Sequence, residues 1–366
     1  MRVLILSITT GYGHHATAKA MADELTARGA EVAVVDLLEY TSKLLFDTVD
    51  KGYLFSTKYA SMFYRRAYDA LDENSHKSLI TAFSDVILRR FAKFFNGFTP
   101  DAIVCTHPFA AMAVNELKQS GQLNVPVIGI VTDYTIHPFW GDMPMVEYMV
   151  VASDLLTYLA EKKGIDRSRV LPFGIPISPK FTKSIAAQEA RRELGLDAQR
   201  RTLLVMSGSM GYGNVVQLIS RIDAVASDLQ IVCVCGRNDK LQAKLSRLQT
   251  TNPIKIYGFI DNIDLYMDAA DCIITKPGGL TITEAMAKKL PMILVNPIPG
   301  QEERNSDFLL NNGAAIKVSK TFSIEESMYF LFSNLERPEL MRKSIALIAR
   351  SNATTRLCDF IMELGT

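Results

Sequence analysis

The sequence predicts an α/β protein built as two doubly wound halves, each a parallel sheet covered by helices. Three observations carry this expectation. The chain has 366 residues, too many for one ordinary domain and enough for two of roughly 150–200 residues. Hydrophobic residues make up 48% of it, sufficient for large cores. They gather in short runs rich in Val and Ile, separated by longer helical stretches. The runs are apolar throughout and do not alternate, the pattern of strands buried on both faces.

In the first half these runs are 3–8, 32–36, 102–106, 127–133, 149–153 and 170–174, and in the second 202–208, 231–236, 254–259, 272–276, 292–296 and 314–318. Six strands are thus followed by six more. Pro172, Pro176 and Pro179 punctuate the break, and a charged helical stretch follows from Ala186 to Leu194, placing the linker at about 175–200. Beyond residue 320 the chain reads as helices separated by Pro338 and by Ser351-Asn352. The expected domains are 1–180, 181–340 and a closing helical segment, 341–366.

The stretch 41–98 interrupts the first half. It holds no good strand but many aromatics, among them Phe63, Tyr64, Phe94 and Phe95, and between 51 and 95 eight basic residues face four acidic ones. Aromatic side chains mixed with Arg65, Arg66, Arg89 and Arg90 suit a segment lying in a membrane interface. A helical insertion whose aromatics are core fits the same composition.

Charge and cysteine usage exclude other classes. Forty basic residues against thirty-nine acidic give a net charge of +1, which removes the whole-chain electrostatic case for nucleic-acid binding. No apolar run reaches the ~20 residues needed to span a bilayer. Met1 to Ile8 lead straight into Gly-rich sequence and read as a strand, with no signal-peptide pattern. The five cysteines form no CxxC pair and sit mainly in apolar runs, as buried free thiols do in a reducing cytosol.

Glycine-bearing turns follow several of the strands. These are Gly11-Tyr12-Gly13-His14-His15, Ser207-Gly208-Ser209-Met210-Gly211-Tyr212-Gly213, Cys235-Gly236-Arg237-Asn238 and Lys276-Pro277-Gly278-Gly279-Leu280-Thr281. Glycine lets backbone approach an anion, and a helix N-terminus adds free N–H groups, so each turn is a candidate diphosphate cradle. Any tight strand–helix turn also favours Gly. Neither a Walker A loop nor a GxGxxG with a ribose acid is present, which disfavours a P-loop ATPase or an ordinary dehydrogenase. No clustered His/Asp/Glu ligand set points to a protein-held metal. Glu284, early in the helix after Gly279, suits either the two hydroxyls of a ribose or the helix dipole. Phe259 and Ile260 suit a stacked base or ordinary core.

All five histidines lie before residue 140. His14, His15, His107 and His137 fall at strand ends or in the loops after them, the edge where open α/β sheets bind ligands. His14 and Asp133 form the sharpest pair. Attack by an alcohol needs a general base titrating near neutrality, and either the imidazole, oriented by the carboxylate, or the carboxylate itself meets that need.

Several motifs together resemble the diacylglycerol glycosyltransferases. They are Gly11-Tyr12-Gly13-His14-His15-Ala16-Thr17-Ala18, the run Thr132-Asp133-Tyr134-Thr135-Ile136-His137-Pro138-Phe139-Trp140, and Gly174-Ile175-Pro176-Ile177-Ser178-Pro179-Lys180-Phe181. Thr275-Lys276-Pro277-Gly278-Gly279-Leu280-Thr281, Thr283-Glu284-Ala285 and Pro299-Gly300-Gln301-Glu302 complete the set. That group takes in monogalactosyldiacylglycerol synthases and the bacterial processive glucosyltransferases of family 28. The resemblance implies a GT-B fold, two facing Rossmann-like domains with the acceptor in the first, a UDP-sugar mostly in the second, and C-terminal helices crossing back.

By that similarity Phe259 and Ile260 hold uracil and Glu284 holds the ribose. Gly13, Gly208, Ser209, Gly278, Gly279, Leu280 and Thr281 serve the diphosphate, and Gln301 and Glu302 meet the donor sugar with Asn305 close by. His14 is then the catalytic histidine, and Asp133 and His137 lie near the acceptor. The aromatic and basic insertion, with Phe63, Arg65, Arg66, Arg89 and Arg90, becomes the membrane-facing region. The chain departs from the pattern at His15, where Arg or Gln is frequent, and at Ser178, where many members carry Arg. Arg237 is a candidate to substitute for that cation.

The combined reading is an inverting UDP-sugar:diacylglycerol glycosyltransferase. It needs no metal and no cofactor, since the UDP-sugar is a substrate. Its partners are the donor, the lipid acceptor and an anionic membrane surface, and it would sit in the cytoplasm, peripheral on the inner face of the cell membrane. Transfer to another lipid, UDP-sugar epimerisation, and a nucleotide-sugar-binding regulator without turnover are the alternatives. Donor sugar, the number of sugars added and oligomeric state are left open by the sequence.

Overall fold

The computed structural model describes residues 1–8, 12–37, 97–141, 143–206, 214–225 and 228–365. The expected membrane-facing insertion, with Phe63, Arg65, Arg66, Arg89 and Arg90, lies outside these residues apart from its last two positions. So do Gly208 and Ser209.

The described chain forms two compact units. The first comprises Met1–Pro179, Pro299–Gln301 and Arg350–Thr366, the second Lys180–Ile298 and Glu302–Ala349.

In the first unit, β1 (Arg2–Ser7), β2 (Glu31–Asp36), β3 (Ala102–Cys105), β4 (Val127–Ile130), β5 (Tyr148–Val150) and β6 (Val170–Leu171) make one sheet in the order β2-β1-β3-β4-β5-β6. Every pairing is parallel. β3 and β4 are buried along their whole length, as continuous apolar strands require, and β2 at the edge is only partly covered. Strands β3 to β6 are shorter than the apolar runs predict, β4 and β6 most of all. β6 stops before Pro172, which cannot donate to a ladder. β4 stops at Ile130, which leaves Val131, Thr132 and Asp133 beyond the sheet edge.

Helices α1 (Tyr12–Ala27) and α2 (Pro108–Gln119) follow β1 and β3. The chain's last helix, α12 (Ala353–Leu364), returns to this unit as the family resemblance implies. Its Leu357, Cys358 and Ile361 join Val3, Ile5, Met21 and Leu25 in one core. Arg28 pairs with Asp359, and the Thr354 hydroxyl both donates to the Ile177 carbonyl at 2.6 Å and accepts from the Ile177 amide at 3.0 Å.

The second unit repeats the plan. Its strands β7 (Arg201–Met206), β8 (Leu229–Val234), β9 (Ile254–Tyr257), β10 (Cys272–Thr275), β11 (Met292–Leu294) and β12 (Ala315–Lys317) run in the order β12-β11-β10-β7-β8-β9, all parallel. Helix α3 (Thr157–Lys162) belongs to the first unit and α4 (Ala187–Glu193) precedes β7, while α5 (Val215–Val225), α6 (Asp239–Leu245), α7 (Ile263–Ala269), α8 (Gly279–Ala287), α9 (Gln301–Asn311), α10 (Ile324–Phe332) and α11 (Glu336–Ile348) lie between and after the strands of the second sheet. Pro338 does not separate two helices as expected. It sits in the first turn of α11, where the absent N–H would have had no helical partner, and the break falls at residues 333–335. All five cysteines are free and buried.

One close approach fixes part of the first unit. A Cβ on Gly129, in the middle of β4, would lie 2.5 Å from Cζ3 of Trp140, the single tryptophan. Gly129→Ala therefore forces the indole from its seat. Overpacking of this kind costs about 1–3 kcal/mol, and the variant should show a lower urea midpoint together with altered tryptophan emission.

Candidate functional site

The strand order of the first unit brings distant residues together. β1, β3 and β4 are neighbours and point the same way, so the residues just past their C-terminal ends meet at one sheet edge. β1 leads into α1, whose first turn carries Gly13, His14 and His15 within the helix and not in a loop. β3 leads to Thr106 and His107, and β4 to Thr132 and Asp133.

The His14 ring is held by two of these neighbours. Nδ1 lies 2.7 Å from the Thr106 carbonyl oxygen and 3.1 Å from Thr132 Oγ1. A carbonyl oxygen only accepts, so Nδ1 carries the proton and Nε2 keeps its lone pair. The Thr106 amide in turn donates to the Leu6 carbonyl at 2.9 Å, which fixes the acceptor against β1. Burial lowers the His14 pKa from its ordinary value, while the Thr106 carbonyl and the Asp133 carboxylate pull it the other way. The imidazole is thus neutral at pH 7, with a carboxylate near enough to stabilise its charged form.

His107 and His137 have the opposite tautomer. His107 precedes α2 and accepts from the Phe109 amide at Nδ1, at 3.2 Å. His137 precedes the short turn Pro138–Trp140 and accepts from the Phe139 amide at the same distance. Each therefore bears its proton on Nε2. The His107 and His14 rings meet edge to face with centroids 4.7 Å apart, and burial, with His14 and His137 nearby, holds His107 well below the usual imidazole range. Phe109 and Phe139 extend the row of rings. His14, His107, Asp133, His137, Trp140 and Gln301 line a single small recess.

The second unit places its expected residues along its own sheet edge. Phe259, two residues past β9, is 47% exposed, with the Arg237 guanidinium 5.9 Å from its ring centroid and Ile260 next in sequence. α8 begins at Gly279 with Gly278 as N-cap and no side chain capping it, so its first amides are open to an anion. Leu280 and Thr281 lie in that first turn. Glu284 is half-buried one turn further on. Desolvation raises its carboxyl pKa to about 8, with Lys180 lowering it and Asp264 raising it.

Glu302 and Asn305 are committed to the protein. Glu302 pairs with Lys276 and accepts from the Ile298 amide at 2.9 Å, and Asn305 donates to the Pro277 carbonyl at 3.0 Å. Both hold the turn before α8. Gln301 lines the recess beside His14.

Thr106, Thr132 and Trp140 receive no role from the sequence alone. His107, read there only as a histidine at the ligand-binding strand edge, also carries the pattern Thr-His-Pro after an apolar run, a strand end followed by a helix cap and a first-turn proline. The bonds to His14 depend on strand order and leave no local trace.

Known proteins resemble the chain over its full length. Residues 14–177 match the model of monogalactosyldiacylglycerol (MGDG) synthase and residues 202–356 that of the glycosyltransferase family 28 C-terminal domain. The processive diacylglycerol beta-glucosyltransferase of Bacillus pumilus is 31% identical over 99% of this chain and 94% of its own length. That of Bacillus subtilis is also 31% identical, over 99% and 95%. Among solved structures, Acinetobacter baumannii MurG aligns with a TM-score of 0.65 at 17% identity, over 99% of each chain. Anabaena Alr3699/HepE in complex with UDP-glucose aligns at 0.57 and 12%, over 99% and 100%. The two six-stranded parallel sheets and these neighbours establish the GT-B fold class.

The ring environments are separable in solution. In an NMR titration His14 and His107 should both protonate below pH ~6.5, the ordinary imidazole value, with His107 the more acidic. A midpoint above that value for either would contradict the burial described.

Proposed function

The chain belongs to the diacylglycerol glycosyltransferases of family 28, and we propose that it transfers glucose from UDP-glucose to diacylglycerol with inversion, using His14 as general base. The relatives' names specify a beta-glucosyl product. The nucleotide sugar carries its glucose in the α configuration, so a single in-line displacement accounts for that outcome. Such a displacement needs a base at the acceptor hydroxyl and a sink for charge at the departing diphosphate.

The observation that carries the reading is the hydrogen bond from His14 Nδ1 to the Thr106 carbonyl. With Nδ1 tied down, Nε2 takes the proton of the acceptor hydroxyl as its oxygen bonds to the anomeric carbon and the bond to UDP breaks. The Asp133 carboxylate favours the imidazolium that results, as a nearby opposite charge does. Open amides at the start of α8 suit the diphosphate charge without a metal, Phe259 with Ile260 suits the uracil, and Glu284 the ribose hydroxyls. Arg237, lying over Phe259, supplies a cation on the same side. Among the described residues no helix is long and apolar enough to cross a membrane. The acceptor is a membrane lipid, so we place the enzyme peripherally on the cytoplasmic face.

Incubation with UDP-glucose, UDP-galactose or UDP-N-acetylglucosamine and diacylglycerol vesicles, with mass spectrometry of the lipids, tests the assignment. A hexosyl lipid from UDP-glucose is expected. Free UDP-sugar epimer with no lipid product would favour the epimerase reading.

Two further outcomes are specific to the residues. His14→Ala should lower the transfer rate about 10²–10⁴-fold, the span of general-base catalysis. In the wild type at saturating UDP-glucose, kcat/KM for the acceptor should rise with pH through a midpoint below ~6.5 and then level, because a lowered pKa leaves the lone pair available at neutral pH. For Glu284, hydroxyl donors favour the ionised carboxylate. UDP should therefore bind more tightly as pH is raised through about 8, whereas Glu284→Gln should bind with little pH dependence. Calorimetric titrations at pH values on both sides of that midpoint distinguish the two.

A further inference from the structure

The recess contains a second imidazole that the base mechanism does not use. We propose that His107 is a specificity-determining residue for the acceptor, its Nε2–H donating to an uncharged oxygen of the lipid while His14 deprotonates the hydroxyl. The inference rests on the functional reading above and extends it to how the acceptor is recognised.

Four observations support it. The Phe109 amide donates to His107 Nδ1, so the distal nitrogen is locked as a donor. The ring lines the same recess as His14 and Asp133 and touches the base edge to face. Burial keeps it uncharged. Phe109, whose backbone sets the tautomer, is 41% exposed and lies against the Phe139 ring, offering apolar surface beside the donor.

A neutral N–H in a recess that also holds a carboxylate and an apolar wall is poorly suited to an anion. It suits an ester carbonyl or a hydroxyl, the oxygens that a diacylglycerol or a glycosylated diacylglycerol presents beside its nucleophile. His14 supplies a hydrogen-bond acceptor and His107 a donor, so the recess would fix two oxygens of one acceptor. His137, with the same tautomer, lines the recess as well. The ring of His107 is the one in contact with the base, which is why the inference is drawn there.

Two substitutions separate capping from recognition. His107→Asn retains a side-chain acceptor near the Nδ1 position and remains a good N-cap, but removes the distal donor. His107→Gln places an amide donor near the Nε2 position and weakens the cap. Each is assayed with diacylglycerol in mixed micelles at saturating UDP-glucose, alongside thermal melts and the KM for UDP-glucose.

We expect His107→Asn to melt like the wild type and keep its donor KM, while its acceptor KM rises about three- to tenfold, the value of one neutral hydrogen bond. His107→Gln should melt lower yet recover part of the acceptor KM. An unchanged acceptor KM in His107→Asn, or a loss in both variants that tracks only their melting temperatures, would overturn the inference and leave the enzyme assignment standing. Wild-type protein that transfers no sugar to diacylglycerol would overturn both.

Discussion

On the proposed function, the chemistry of the first unit depends on which nitrogen of His14 bears the proton, and a backbone carbonyl decides it. The Thr106 oxygen, 2.7 Å from Nδ1, only accepts, so it imposes the tautomer that leaves Nε2 basic. That carbonyl is in place because the Thr106 amide is bonded to β1 and the residue immediately succeeds β3. The placement of β3 between β1 and β4 then brings Thr132 to the same Nδ1 and Asp133 within electrostatic reach of the ring. A change in strand order would scatter all of these groups, which lie up to 119 positions apart in sequence.

The second unit handles charge by different means. Its open helix start at Gly278 and Gly279 offers amides, and the ion pair of Lys276 with Glu302 braces the turn that presents them. Burial raises the Glu284 carboxyl to about 8, which favours its protonated form at neutral pH, and on the proposed function the ribose hydroxyls would favour the ionised one. On the proposed function, nucleotide binding and proton release are therefore linked at this one carboxyl. The first unit keeps a base neutral and the second keeps an acid neutral, both through desolvation.

Much of this was legible in the chain. Continuous apolar runs point to the twelve strands of the described residues, because strands buried on both faces need no polar alternation. His14 and Asp133 stood out as titratable groups after strands, and the motifs around Gly278 and Glu284 identified the family. What escaped was tertiary. Thr106 and Thr132 look like ordinary strand-end residues, and their contact with His14 arises from sheet order. Pro338 looked like a helix break because proline usually is one, yet first-turn geometry tolerates it. Trp140 has a seat only because Gly129 lacks a side chain, a close packing relation with no periodic signature. The two committed side chains of Glu302 and Asn305 belong to the same class, since their partners are a lysine and a backbone carbonyl in the turn before α8.

Nitrogen-15 chemical shifts of the His14 ring in the free protein at pH 7.5 test the central claim most directly. The hydrogen bond to Thr106 requires a protonated, pyrrole-type Nδ1 and a bare, pyridine-type Nε2. The reverse assignment, with the proton on Nε2, would leave that nitrogen without the lone pair that the proposed base role needs and would contradict the account.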